Sequence, residues 1–525
     1  MRALICDKLR QEGLEVLRRH GVEPVLATEI GAEELAERIG GFEACVVRSR
    51  TRVTAQTLAR PGKLRVIGRA GAGVDNIDTN AATRLGIVVM NTPGANSLAA
   101  AEHTLALMLA LSRHVVRADA SLRAGRWERE RFMGEELYSR TLGLIGLGNV
   151  GTLVAERARC FKMEVLAYDP HLPEDMIVRR GAQPAQLDDL LARSDFISLH
   201  TPLTPETRHV LDRRAFSRMK EGVRIVNCAR GGLIDEAALA AAIRAGRVAG
   251  AALDVFASEP PTGSPLLTMD EVVVTPHLGA SSRQAQVKVA RSIAEQVALY
   301  LTTGAVRGAV NLPAMSPQQM EELRPWLELA ERLGSFQAQS FGAAPEEVDI
   351  EYAGELAALD RATLSAAVLK GLLAPVLAEQ VTLVNAPLLA RERGLKVREL
   401  TRAEAADYSS LLTVRLAAPG RLAALSGTVF DAREPRLVRI DELRIEASPE
   451  GHILYIRNLD RPGVVGNIGR TLGESRINIA KMHLGRSDVG GTAVCLVQVD
   501  GAVPGGVLAA VRDLPDIISA QVIVL

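Results

Sequence analysis

The sequence predicts an α/β protein of two lobes with parallel sheets, followed by a third α/β region and a small ferredoxin-like βαββαβ module. Three observations predict this. From residue 1 to about 300, short β-rich runs alternate with amphipathic stretches such as EELAERIG and DEAALAAAIRAG, the pattern of βαβ units. Two long helical runs, 97–124 and 282–302, flank the middle of this stretch and suit crossings between two lobes. The last ~75 residues read strand, loop, helix, strand, strand, helix, strand.

The runs RALICD, ACVVRS, LRVIGRA and GIVVMNT form the first lobe, 1–97, completed by the returning segment 285–312. TLGLIGLG, EVLAYD, FISLHTP, RIVNCAR, GAALDV and EVVVTP form the inserted second lobe, 98–284. VNLPAMSPQQ (310–319) carries two prolines and reads as a linker. An intervening α/β domain occupies 313–450 and the terminal module 451–525.

Lys plus Arg equal Asp plus Glu at 62 each among 525 residues, so charge gives no reason to expect nucleic acid or a membrane surface as partner. The five cysteines are scattered, with no CxxC pair and no Cys/His spacing typical of a metal site, so no metal is expected and the thiols read as reduced. No uncharged apolar run approaches the ~20 residues that span a bilayer, and the N-terminus lacks the features of a signal peptide. A cytoplasmic protein is expected.

Gly146-Leu147-Gly148-Asn149-Val150-Gly151 follows an apolar strand and opens a helix. The first two glycines allow a tight turn and close approach of pyrophosphate, the third lets helix and strand pack, and the helix N-terminus offers free N–H groups. Asp169 ends the next strand about 20 residues on, where a carboxylate accepts from ribose hydroxyls and repels a 2′-phosphate. The second lobe therefore reads as a Rossmann domain for NAD.

Arg230 in NCARGGLID, Glu259 in ALDVFASEP and His277 in TPHLGAS each follow a parallel strand, where loops form the ligand crevice. Oxidising a 2-hydroxy acid removes a hydroxyl proton while a hydride leaves the same carbon. His277 is the base, Glu259 the carboxylate that orients the ring and stabilises imidazolium, and Arg230 the forked donor to the substrate carboxylate. Arg48, Arg50 and Arg69 lie at strand ends of the first lobe, facing the crevice, and Arg129 follows the long crossing helix.

With GRAGAGVDNID, NTPGANSLAAAEHTL, GLGNVG, HTPLTPET, NCARGG, ALDVFASEP and PHLGAS, residues 1–312 resemble the D-isomer-specific 2-hydroxyacid dehydrogenase family. The resemblance implies the catalytic set Arg230, Glu259 and His277. It implies NAD contacts at Gly146, Gly148, Asn149, Val150, Gly151, Asp169, Thr201, Pro202, Cys228, Ala229, Asp254, His277 and Gly279. Asn149-Val150 departs from the Arg-Ile pair common in relatives, which affects one side-chain contact. VVRSRT, GRAGAGVDN, RWERERFMG and the long tail resemble the long-form members, which act on 3-phosphoglycerate in serine biosynthesis. That implies substrate contacts at Arg48, Ser49, Arg50, Arg69, Gly71, Arg129 and Arg230. It also implies a homo-oligomer, dimer or tetramer, with the Trp127 segment reaching a neighbouring subunit. Residues 452–525 resemble an ACT domain through DRPGVVGNIG and INIA. L-serine as effector is implied at Asn458, Asp460 and Asn478, although the usual upstream His and Asn are here Asn458 and Asp460. A hydroxypyruvate or glyoxylate reductase of the same family would not require the first-lobe arginines or the tail. An NAD-sensing protein of the corepressor kind is disfavoured by the ACT-like tail.

Overall fold

The computed structural model describes residues 1–377 and 380–525 and organises them around four sheets. The first sheet holds β1 (Arg2–Ile5), β2 (Glu23–Leu26), β3 (Ala44–Val47), β4 (Val66–Arg69) and β5 (Val88–Met90), in the order β2-β1-β3-β4-β5. All its pairings are parallel. ACVV of β3 is buried at every position, as expected of a strand covered on both faces. The helix Arg283–Thr303 returns from the second lobe and buries Val289, Ile293, Ala294 and Val297 in the same core as Ala3, Ile5 and Val46.

The second sheet holds β6 (Thr141–Ile145), β7 (Glu164–Tyr168), β8 (Gln183–Pro184), β9 (Phe196–Leu199), β10 (Val223–Asn227), β11 (Val248–Leu253) and β12 (Val272–Val274). Its order is β12-β11-β10-β9-β6-β7-β8, all parallel. The strand order reverses between β6 and β9. A crevice opens at the carboxyl ends of strands at such a switch point, and the nucleotide-binding site of an open parallel sheet lies there.

The third sheet is mixed: β13 (Glu347–Gly354), β14 (Lys396–Arg402), β15 (Ser410–Ala418), β16 (Arg421–Phe430), β17 (Glu434–Ile440) and β18 (Leu443–Ala447), ordered β14-β13-β15-β16-β17-β18. Only β13–β14 is parallel. The fourth comprises β19 (His452–Leu459), β20 (Ile479–Arg486), β21 (Thr492–Val499) and β22 (Ile517–Val524) in antiparallel order β20-β21-β19-β22. With helices Val464–Glu474 and Gly505–Arg512 it forms the βαββαβ module.

Two sequence expectations need correction. The run 97–124 is two helices, Ser97–Ser112 and Val115–Arg123, because His114 adopts a left-handed backbone (φ 54°) and turns the chain without a glycine or proline to signal it. The segment 310–319 is no free linker. Val310 donates to the Val89 carbonyl, Val306 and Met315 exchange backbone hydrogen bonds, and Asn311 bonds Val89, Ile87 and Thr83 of the first lobe. Pro317 opens the helix Pro317–Ser340 at a position where proline is pre-organised, behind a Ser316/Gln319 capping box. Among the described residues no helix is long and apolar enough to cross a membrane.

Candidate active site

The glycine turn between β6 and the helix Asn149–Cys160 is shaped by two contacts and one opening. At Gly146 (φ 93°) a Cβ would lie 2.8 Å from the His200 carbonyl oxygen, and at Gly151 2.3 Å from the Gly146 oxygen. At Gly148 a Cβ would meet nothing within 4 Å. The first and third glycines thus close the turn, and the second leaves its outer face bare. Gly148 precedes the helix without a side-chain cap, so the first N–H groups, including those of Asn149 and Val150, are left for a ligand. Asp169, at the end of β7, accepts from Leu147 N (2.9 Å) and His171 N (3.1 Å), one bond per oxygen. Each oxygen keeps acceptor capacity for a ribose hydroxyl. Beyond β9, Thr201 donates to the Pro202 carbonyl (2.8 Å), and Thr207 braces the same carbonyl. A bare glycine, open helix N-terminus and carboxylate at one crevice fit a dinucleotide.

Behind this turn His200 bonds Ser198 (2.9 Å), and burial pushes its imidazole down to about 4. It is neutral at physiological pH.

At the same edge of the sheet, His277 Nδ1 lies 2.8 Å from Glu259 Oε2, and Phe256 N donates to Glu259 Oε1 (3.2 Å). Burial alone would raise the Glu259 carboxyl, but the bond and charge of His277, with the Phe256 N–H, hold it below the usual range. An open pocket walled by Phe256, Pro260, Leu267 and Val274 is lined by the pair as well.

Asp254 is fully buried and accepts from Thr275 Oγ1 (2.6 Å), Leu278 N (2.6 Å) and Gly279 N (2.8 Å), with His103 Nε2 at 3.3 Å. Burial opposes its charge, yet His103, Thr275 and the two N–H groups hold it ionised below its usual range. The sequence expects it to contact the cofactor; here its carboxylate organises the 275–279 loop. His103, Cys228 and Asp254 bring ligand-type atoms within 4.8 Å of one another, a cluster that sequence spacing does not show. Burial pushes the Cys228 thiol up to about 12.

Asn227, buried at the end of β10, clamps the next turn by accepting from Ala229 N (3.0 Å) and donating to Arg230 O (2.8 Å). Arg230 then donates through Nε to Asp75 of the first lobe (2.9 Å) and through Nη1 to Ala229 O (2.7 Å).

On the first lobe, Arg69 ends β4, and its buried Nε has no hydrogen-bond partner. A Cβ at Gly71 would lie 1.5 Å from its Nη1, so only glycine leaves room for this guanidinium. Burial, then the neighbouring Arg230, brings Arg69 down to about 10. Arg48 is anchored by its own N–H to Asp7 (2.6 Å) and by Nη1 to Lys8 O (3.2 Å). Arg50 is held by Asp7 (2.9 Å) and the carbonyls of Cys6 and Thr28, and Ser49 is exposed between them.

Arg129 is not brought to this crevice. It lies on the 3-10 turn Arg129–Phe132, where Arg131 reaches Asp270 (3.5 Å), just ahead of β12 and so at the sheet edge opposite His277. Trp127, in the same segment, is 78% exposed. Nor does one chain gather the effector residues. Asn458, at one end of the terminal sheet, is buried and bonds Leu459 O, and Asp460 beside it accepts from Arg486 (2.8 Å). Asn478, at the other end, donates to Asp500 (2.6 Å). The length of β20 separates them, roughly 20 Å. Asp7, Asp75, Asn227 and His103 are absent from the sequence-derived set. Asp75, Asn227 and His103 stand within GRAGAGVDN, NCARGG and NTPGANSLAAAEHTL, whereas Asp7 carries no local signal because its partners Arg48, Arg50 and Thr51 lie more than 40 positions on.

Family models match three stretches of the chain: D-isomer specific 2-hydroxyacid dehydrogenase, NAD binding domain, over 105–279; D-3-phosphoglycerate dehydrogenase intervening domain over 322–441; and ACT domain over 452–516. D-3-phosphoglycerate dehydrogenase of Methanocaldococcus jannaschii is 41% identical over 524 residues, covering 100% of this chain and 99% of that protein. The Archaeoglobus fulgidus protein of the same name is 42% identical over 528 residues, with complete coverage of both. Among solved structures, D-lactate dehydrogenase from Aquifex aeolicus, complexed with NAD and lactic acid, superposes with a TM-score of 0.52 at 28% identity, over 60% of this chain and 100% of that one. With relatives matching it from end to end at this identity, the chain belongs to the D-3-phosphoglycerate dehydrogenase family of the D-isomer specific 2-hydroxyacid dehydrogenases.

Proposed function

We propose that the chain oxidises 3-phospho-D-glycerate with NAD+ to 3-phosphohydroxypyruvate, the first step of the phosphorylated route to L-serine. The observation that carries this reading is the 2.8 Å His277–Glu259 bond on the sheet edge that also bears the glycine turn. Glu259 occupies Nδ1, so Nε2 is the atom left to take the proton from the C2 hydroxyl. The ionised Glu259 stabilises the imidazolium that results. NAD+, when bound, supplies the hydride acceptor. The Nη groups of Arg230 hold the substrate carboxylate and the forming 2-oxo oxygen. Arg69, with the loop of Arg48, Ser49 and Arg50, receives the phosphate. The family relationship and the intact residue set support each assignment.

We further propose that the exposed Trp127 segment packs on a second copy, which would carry Arg129 to that copy's crevice. L-serine would bind between two ACT modules, where opposite sheet ends meet. The described cysteines are free thiols, in keeping with a cytoplasmic enzyme.

The test follows NADH absorbance with 3-phosphoglycerate and with unphosphorylated glycerate. Wild type should turn over the phosphorylated acid at least about tenfold more efficiently, and His277→Ala should lose about a thousandfold in rate. Equal rates for wild type and His277→Ala would refute the mechanism, and equal use of the two acids would refute the substrate.

A further inference from the structure

Arg230 follows β10 in the nucleotide lobe, yet the carboxylate that holds it belongs to the other lobe. Asp75, in the loop after β4, takes Arg230 Nε at 2.9 Å. The loop does not need Asp75 for its shape. Asn76 Nδ2 donates to Arg48 O (2.7 Å) and Thr51 O (2.6 Å), Val53 N donates to Asn76 O, and Asp78 caps the following helix through Ala81 N (2.9 Å). Gly73 makes room for the contact: a Cβ there would lie 1.8 Å from Arg230 Nη2. With Nε on Asp75 and Nη1 on the Ala229 carbonyl, Nη2 lies against the first-lobe loop. The end-on Nη edge is the part of the fork left for an incoming carboxylate.

We propose that Asp75 is a positioning residue that fixes the Arg230 guanidinium for the substrate carboxylate and latches the two lobes, so that cleft geometry and substrate recognition share one ion pair. The inference rests on the functional reading above. Removing Asp75 has two opposed consequences. Losing a negative charge beside Arg69 and Arg230 raises the local positive potential and favours an anion. Losing the bond frees a long side chain that Arg69 repels and solvent solvates. The Asp75 side chain is 59% exposed, so water screens its charge, whereas the directional constraint on Arg230 is not screened. Order therefore outweighs charge.

The test is steady-state kinetics on Asp75→Ala and Asp75→Glu in the full-length protein, with NAD+ affinity and Tm measured alongside. Asp75→Ala, which removes the acceptor of Arg230 Nε, should raise KM for 3-phosphoglycerate about tenfold with kcat within about threefold, and Asp75→Glu should recover part of the loss. NAD+ affinity should not move and Tm should fall by no more than an exposed ion pair contributes, because Asn76 and Asp78 hold the loop. In an Arg230→Lys background, which has no Nε, Asp75→Ala should add no further rise. An unchanged KM, a lowered KM or full additivity would each overturn the inference while wild-type turnover left the functional reading standing. Absence of turnover by wild type would overturn both.

Discussion

Replacing Asp254 by asparagine perturbs the loop that carries His277 without altering a reacting group. The carboxylate accepts Thr275 Oγ1 and Leu278 N on Oδ1 and Gly279 N on Oδ2, and His103 Nε2, bonded to Thr275 Oγ1, lies 3.3 Å from Oδ1. An asparagine amide has one oxygen. In its better orientation the oxygen keeps Thr275, Leu278 and the His103 contact, and the NH2 faces the buried Gly279 N–H. A buried unpaired donor costs about 1–3 kcal/mol, and the two bonds and the His103 contact, reduced from a charged to a neutral acceptor, cost a few tenths to 1 kcal/mol each. Against this, the variant no longer buries a charge, a relief of order 1–2 kcal/mol. The balance is a local destabilisation of about 2–3 kcal/mol. For a lobe of this size that lowers its unfolding transition by roughly 5–10 °C. A shift of His277 by about 1 Å would cost about a hundredfold in kcat/KM.

The assay pairs calorimetry with kcat/KM and NAD+ affinity. The expected pattern is a lower Tm and a hundredfold loss in kcat/KM with a smaller loss in NAD+ affinity. A Tm within about 1 °C of wild type and kcat/KM within about twofold would refute the loop-holding role. A weakened NAD+ affinity at unchanged Tm would show that Asp254 acts by direct cofactor contact.

Three further expectations can be checked with the same preparations. Gly148→Ala, which meets no neighbour, should leave Tm unchanged but raise the NAD+ Kd about tenfold or more, whereas Gly151→Ala, aimed at a backbone oxygen 2.3 Å away, should lower both Tm and affinity; calorimetry and fluorescence titration separate them. His200 titrates near 4 when folded against an ordinary 6.5, so the unfolded chain takes up the proton first as pH falls. Its effect is absent above the ordinary value, and stability drops as pH falls from about 6.5 to about 4, by roughly 2 kcal/mol after allowance for partial exposure; denaturant titrations should show a slope over this range that is steeper in wild type than in His200→Gln by this amount. Glu259→Gln keeps an acceptor for Nδ1 but removes the charge that stabilises imidazolium. Its kcat should fall about a hundredfold with little change in KM, and a kcat within about threefold of wild type would remove Glu259 from the mechanism.

What the sequence reveals depends on whether the signal is local. Apolar runs such as ACVV mark doubly covered parallel strands, and the glycine turn declares itself because strand, helix and Asp169 stand at fixed offsets along the chain. Glu259 and His277 are legible as residues following strands, since a parallel sheet sends all such loops to one edge. Contacts across the chain are not legible in this way. Asp75 meets Arg230 over 155 positions and Asp7 meets Arg50 over 43, with no periodicity linking either pair. That Arg129 lies away from its own chain's crevice is not legible either, because nothing local announces the reversal at His114. The effector residues stand about 20 positions apart on two motifs of one module, and the strand pairing puts them at opposite ends of its sheet.

Three basic side chains of the crevice follow one rule, and Arg69 does not. His277 is matched by Glu259, Arg230 by Asp75 and Arg50 by Asp7, each carboxylate coming from a different loop. Such pairing holds a basic side chain in one orientation and offsets the cost of bringing it out of water. Arg69 Nε is buried, yet it has no partner, and the neighbouring Arg230 repels the guanidinium. A buried, unpaired guanidinium donor is costly on folding and contributes nothing to the empty protein. The arrangement is intelligible if an anion completes it. Arg230 and Arg50 are already matched, so an acid that carries both a phosphate and a carboxylate gains most where compensation is missing, at the junction of Arg69 and the free Nη edge of Arg230. The selectivity of the crevice for anions then resides in the position where the protein leaves its own charge unanswered.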